Sequence, residues 1–106
     1  MTDPEQLGFR ALADPTRREI LRLLTRGDMT IVDVADNFDM TRAAVKKHLT
    51  ILTDGGLVTV RAAGRAKVNS LNAGRLKELL GWFDYFDAFC DDRLAKLKSE
   101  IEKDAS

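Results

Sequence analysis

The sequence predicts a mainly α protein with one small β-hairpin, a single domain over residues 1–106 that ends in a long helix. Three observations predict it. Apolar residues recur at helical spacing along most of the chain. Residues 57–72 switch to alternation around a glycine. From about Gly74 an apolar stripe at helical spacing runs nearly to the C-terminus.

Composition sets the bounds. A chain of 106 residues buries a core without disulfide or metal staples. With 44% hydrophobic and 32% charged residues it falls outside the disordered class. No apolar run approaches the roughly 18 residues of a membrane span. "MTDPEQLGFRAL" lacks the basic and apolar regions of a signal peptide, and the single Cys90 makes no internal disulfide, so the expected compartment is the cytoplasm.

A short helix is expected from about Glu5 to Leu12. Asp14-Pro15 then starts a second, with Asp as N-cap and Pro at the first helical position, where its missing N–H costs nothing. Ile20, Leu23 and Leu24 share one face of it, and Gly27 stops it. Thr30 with Asp33 forms a capping-box pattern, followed by Ile31, Val34, Ala35 and Phe38 as one apolar stripe. A tight break at Asp39-Met40 precedes a helix capped by Thr41. Along it Val45, His48, Leu49 and Leu52 form the inward stripe. Ala43, Lys46, Lys47 and Thr50 form another, rotated away from the first. Lys46 and Lys47 therefore diverge from their neighbour His48. Asp54-Gly55-Gly56 ends the helix in a left-handed turn.

In "LVTVRAAGRAKVNSL" Val58 and Val60 alternate with polar positions, Gly64 takes the turn, and Val68 lies on the return strand. The last helix carries Leu76, Leu79, Leu80, Phe83, Phe86, Cys90, Leu94, Leu97 and Ile101 at intervals of three or four. Five of the seven aromatics, Trp82, Phe83, Tyr85, Phe86 and Phe89, crowd one stretch of it. So small a body cannot cover that stripe, which points to a self-complementary dimer seam through Leu79, Trp82, Phe83, Phe86, Phe89 and Cys90. Cys90, among apolar neighbours, is expected to be a buried thiol. Asp84, Asp87, Asp91 and Asp92 are expected on the solvent side of the same helix.

Net charge is zero, but its distribution is uneven. Residues 1–40 carry five basic and eight acidic side chains, residues 41–72 six basic against Asp54 alone, and residues 73–106 six basic and eight acidic. One basic island, at +5, lies in an otherwise acidic chain. Two short helices joined by a turn (about 30–54), a basic-tipped hairpin (about 57–72) and a long helix (about 74–103) follow the order of a winged helix-turn-helix. A major groove about 12 Å wide admits one helix whose exposed face offers donors and small residues. Arg42, Ala43, Lys46, Lys47 and Thr50 meet that description, and Thr41 at the helix N-terminus suits a phosphate. Arg61, Arg65 and Lys67 around the hairpin suit flanking phosphates or the minor groove. His48 has no second histidine, cysteine or carboxylate within helical reach, which leaves it a partly buried structural role or a phosphate contact from the edge of the helix. Catalysis is not expected: the chain has no Gly-rich phosphate loop and no nucleophile elbow.

The stretches "ALADPTRREILRLL", "VADNFDMTRAAVKKHLTILTDGGLV", "RAAGRAKVNSLN" and "LLGWFDYFDAFCDDRLAKL" resemble the ArsR-type winged-helix repressors, particularly their metal-independent autorepressor branch. The resemblance implies a homodimeric, cytoplasmic repressor of prokaryotic type, with recognition helices in successive major grooves and the first and last helices at the dimer interface. Metal-sensing relatives carry paired cysteines in the helix before the turn, or Asp and His ligands on the last helix. Here "TIVDVADNF" holds neither Cys nor His, and the last helix has no His, so neither a metal nor another cofactor is expected. Two alternatives stay open at this level. One is a winged-helix module that binds protein; the other is a repressor released from double-stranded DNA by a small ligand or by oxidation of Cys90.

Overall fold

The computed structural model describes residues 3–104, which divide into two units after Leu76. In the first, α1 (Pro4–Leu12) starts at Asp3, whose carboxylate accepts the Glu5 N–H at 3.0 Å. Its C-terminal carbonyls are closed by the next helix, α2 (Pro15–Leu24). Arg17 donates through Nε to Ala11 O at 2.8 Å and through Nη2 to Arg10 O, and Arg18 Nη1 donates to Leu12 O at 2.7 Å. Two arginines in the first turn of α2 thus donate to three carbonyls at the end of α1, of which Arg10 O also accepts the Ala13 N–H. Asp14 stands at the N-cap position without the expected side-chain cap, because its carboxylate is turned towards Arg17 and His48.

A two-residue strand, β1 (Met29–Thr30), comes next. It leads into α3 (Ile31–Ala35), where the capping box forms as expected: Asp33 N–H donates to Thr30 Oγ1 and Thr30 N–H to Asp33 Oδ2. The helix is shorter than its apolar stripe. Phe38 lies beyond it, and the connection to the next helix spans residues 36–41 rather than a break at Asp39-Met40 alone. α4 (Arg42–Asp54) then buries Val45, Leu49 and Leu52. β2 (Val58–Ala63) and β3 (Ala66–Leu71) pair antiparallel, and β1 joins the free side of β3, giving the order β1-β3-β2. Ala63 faces Ala66, so Gly64-Arg65 is a two-residue turn, and Gly64 at its first position takes φ +64°. Only Val58 of β2 is buried; Val60 is exposed because the hairpin has already left the core at that point.

That core joins Ile20, Leu21 and Leu24 of α2 to Val34, Val45, Leu49, Leu52, Leu57 and Val58. Its polar member is Asn69, whose Nδ2 donates to Met29 O and ties β3 to β1. The two glycines after α4 have separate reasons. Gly56 supplies the left-handed turn at φ +77°, whereas Gly55 is ordinary in φ but lies where α1 crosses. A Cβ on Gly55 would sit 2.9 Å from Leu7 O and 3.2 Å from Gly8 Cα. Gly55→Ala is therefore expected to destabilise the fold by about 1–3 kcal/mol through overpacking against main chain. Urea unfolding checks this as a lower midpoint at unchanged slope.

The second unit consists, in its described residues, of the remainder of α5 (Ala73–Asp104), a continuous helix of 32 residues whose first turn is capped by Asn72 Oδ1 accepting the Arg75 N–H. Among the described residues from Lys77 onward, Leu79 is the one that is buried. Among the described residues no helix is long and apolar enough to cross a membrane.

Candidate nucleic-acid interface

α4 owes its start to Thr41. Its Oγ1 accepts the Ala44 N–H at 3.1 Å, which uses a lone pair and leaves the hydroxyl proton free for an outside acceptor. The helix then divides by phase. Arg42, Ala43, Lys46, Lys47 and Thr50 are exposed, whereas Val45, Leu49 and Leu52 are buried and His48 is half-buried. The divergence of Lys46 and Lys47 from His48, expected from spacing, is present in three dimensions. Behind α4, His48 Nδ1 lies 3.6 Å from Asp14 Oδ2, and both atoms are sealed from solvent without a hydrogen-bond partner. Arg17 Nη1 approaches the same carboxylate oxygen at 3.8 Å. The Nδ1 side of the histidine thus faces the N-cap residue of α2, a partner that helical spacing on α4 cannot reveal.

A second fastening lies at the C-terminal end of α4. Arg75 donates through Nε to Gly55 O at 3.3 Å and through Nη2 to Pro4 O at 2.5 Å. A guanidinium there also opposes the negative pole of the helix. Sequence patterns gave no sign of this role, since both acceptors are main-chain atoms far from Arg75 in the chain.

The hairpin presents Arg65 at its tip and Lys67 on the return strand, both exposed. Arg61 is placed differently. Its Nη1 donates to Asp28 Oδ2 at 2.8 Å and to Ser70 Oγ at 3.1 Å, reaching across the sheet to the residue before β1. The hydrogen bond from Arg61, with that of Ser70, holds the Asp28 carboxyl below its ordinary value. Arg61 is therefore matched within the chain, and its use on a phosphate requires exchanging Asp28 for it. Lys46 and Lys67 border a cleft between α4 and the hairpin, floored by Ile31, Leu49 and Val60.

On α5 the expected seam residues Trp82, Phe83, Phe86 and Phe89 are exposed in the single chain, as are Leu94, Leu97 and Ile101. They form a packed series. Trp82 meets Phe83 edge-on at 5.3 Å and Phe86 at 5.0 Å, Tyr85 meets Phe86 at 4.9 Å, and the Arg93 guanidinium lies 5.5 Å from the Phe89 ring. Of the other two expected seam residues, Leu79 is 1% exposed in the single chain. Cys90 is exposed rather than buried, because its apolar neighbours on the helix are themselves uncovered. Among the described residues no three His, Cys, Asp or Glu side chains are grouped to hold a metal ion.

Comparison with known proteins agrees with this geometry. A family model described as a helix-turn-helix domain matches residues 12–61. The transcriptional repressor SdpR of Bacillus subtilis is 38% identical over 74 residues, 70% of this chain and 82% of that protein. The solved structure of an ArsR-like transcriptional regulator from Rhodococcus sp. RHA1 is 32% identical, superposes with a TM-score of 0.72 and covers 91% of both chains. A homodimeric winged helix-turn-helix DNA-binding domain from Mycobacterium bovis superposes with a TM-score of 0.66 at 26% identity, over 80% of this chain and 82% of that one.

Proposed function

The chain belongs to the ArsR family of winged helix-turn-helix transcriptional regulators, and from that premise we propose that it is a homodimeric repressor that occupies an inverted-repeat operator in the cytoplasm of a prokaryotic cell. Each α4 enters a major groove, with Arg42, Lys46 and Lys47 towards the DNA and Ala43 and Thr50 between them. The Thr41 hydroxyl meets a phosphate at the start of the helix. Arg65 and Lys67 hold the flanking backbone, and Arg61 joins them where a phosphate displaces Asp28. Trp82, Phe83, Phe86 and Phe89 form the seam between copies, with Cys90 beside them. The chain has no catalytic part in this scheme, since His48 serves packing.

One observation carries the proposal: the exposed face of α4 gathers cations and small residues inside the one basic island of the chain, while the apolar stripe of the same helix is spent on the core. Selection from a pool of random duplexes tests it. The expected product is an inverted repeat whose half-sites lie about one turn apart, roughly 34 Å, or a multiple of it. Retention on the selected duplex should weaken steeply with salt. A protein that enriches no sequence and ignores ionic strength would not be a DNA reader; stable capture of a protein partner with no duplex binding would favour the protein-binding module.

A further inference from the structure

We infer that the reading face of α4 recognises the 5-methyl group of a thymine in each operator half-site, with Thr50 and Ala43 forming the receiving surface; the inference rests on the DNA-reading assignment above. Ala43, Lys46, Lys47, Thr50 and Ile51 line a shallow hollow on the outer side of the helix, and its exposed wall is almost entirely hydrocarbon. That is unexpected for a helix face with two lysines. The lysines therefore contribute their hydrocarbon stems to this wall and not their ammonium groups. Thr50 adds to it in the same way. Its Oγ1 donates to Lys46 O at 2.9 Å, so the hydroxyl proton is committed to the main chain of the helix itself. What Thr50 chiefly offers the groove is its methyl group. Ala43, about two turns before it on the same stripe, offers another.

In the major groove, thymine alone among the four bases presents a methyl group. An apolar hollow bordered by two cationic donors is complementary to a step that sets such a methyl beside acceptor atoms, as the O6 and N7 of a neighbouring guanine supply. Water left against the hollow would gain no partner, so filling it with a methyl group is favourable by the ordinary burial of one carbon.

Deoxyuridine tests this directly, because it removes the methyl and leaves the base-pairing edge intact. The full-length protein is used to enrich a duplex from a random pool, and each thymine of the enriched site is replaced by uracil in turn. One position per half-site is expected to lose affinity about fourfold, and the two symmetric positions together about fifteenfold. The penalty should shrink in Thr50→Ser, which keeps the hydroxyl and removes the methyl, and persist in Thr50→Val, which does the reverse. A site that binds equally well with uracil at every position overturns the inference, as does an enriched half-site without thymine. A penalty undiminished in Thr50→Ser also overturns it, since the effect then belongs to duplex shape. A pool that enriches nothing fails earlier, and overturns the DNA-reading assignment together with this one.

Discussion

Phe86→Glu is expected to leave the protein monomeric and to weaken operator binding by about 10²–10⁴-fold, the loss incurred when two linked half-site contacts become independent. Phe86 touches both Trp82 and Tyr85, and at 39% exposed it is the least exposed of the α5 aromatics. Two-fold symmetry introduces each carboxylate twice, and a charge buried in an apolar seam without a partner costs several kcal/mol. The side chain lies outside Met1–Leu76, so the substitution spares the core that shapes α4. Sedimentation equilibrium reads the association state, and fluorescence anisotropy on the selected duplex reads the affinity. A monomer with undiminished operator affinity would remove the seam from the mechanism.

Replacing Lys46 and Lys47 together by alanine is expected to cost on the order of 10²–10³-fold in affinity at physiological salt. Two lysines in each of two copies make four contacts. If all meet phosphates, the slope of log affinity against log salt falls by about 3.6. If some meet guanine edges instead, the slope changes less and discrimination between sequences relaxes. Both lysines are exposed, so the fold should be retained, and an unchanged thermal midpoint is the control. Normal binding across a salt titration would mean that α4 is not the reading helix.

The parts legible in the sequence were those governed by local periodicity. The split of α4 into a buried and an exposed stripe followed from 3.6 residues per turn, because Val45, Leu49 and Leu52 leave Lys46 and Lys47 no inward direction. The Thr30 and Thr41 caps and the glycine turn of the hairpin are likewise decided within four residues. What could not be read depends on residues far apart in the chain. β1 is two residues long, too short to show alternation, and exists because β3 offers it a free edge. Asp28 and Arg61, and Asp14 and His48, belong to different elements, and no spacing rule joins them. The spacing of apolar residues on α5 is uniform across Leu79 and Phe83, yet one is 1% exposed and the other 51%. Periodicity says which residues share a face, but not what covers it.

The Arg75 fork has a consequence for how such a protein changes over generations. Both acceptors, Gly55 O and Pro4 O, are main-chain atoms, so no side-chain replacement at those positions abolishes them. Lysine, a single point charge without the planar fork, cannot reproduce the pair of bonds. Residues on the outer face of α4 can therefore drift with the DNA they read, one base preference giving way to another. Position 75 has no such latitude: it answers to backbone atoms that look the same whatever operator the lineage comes to use.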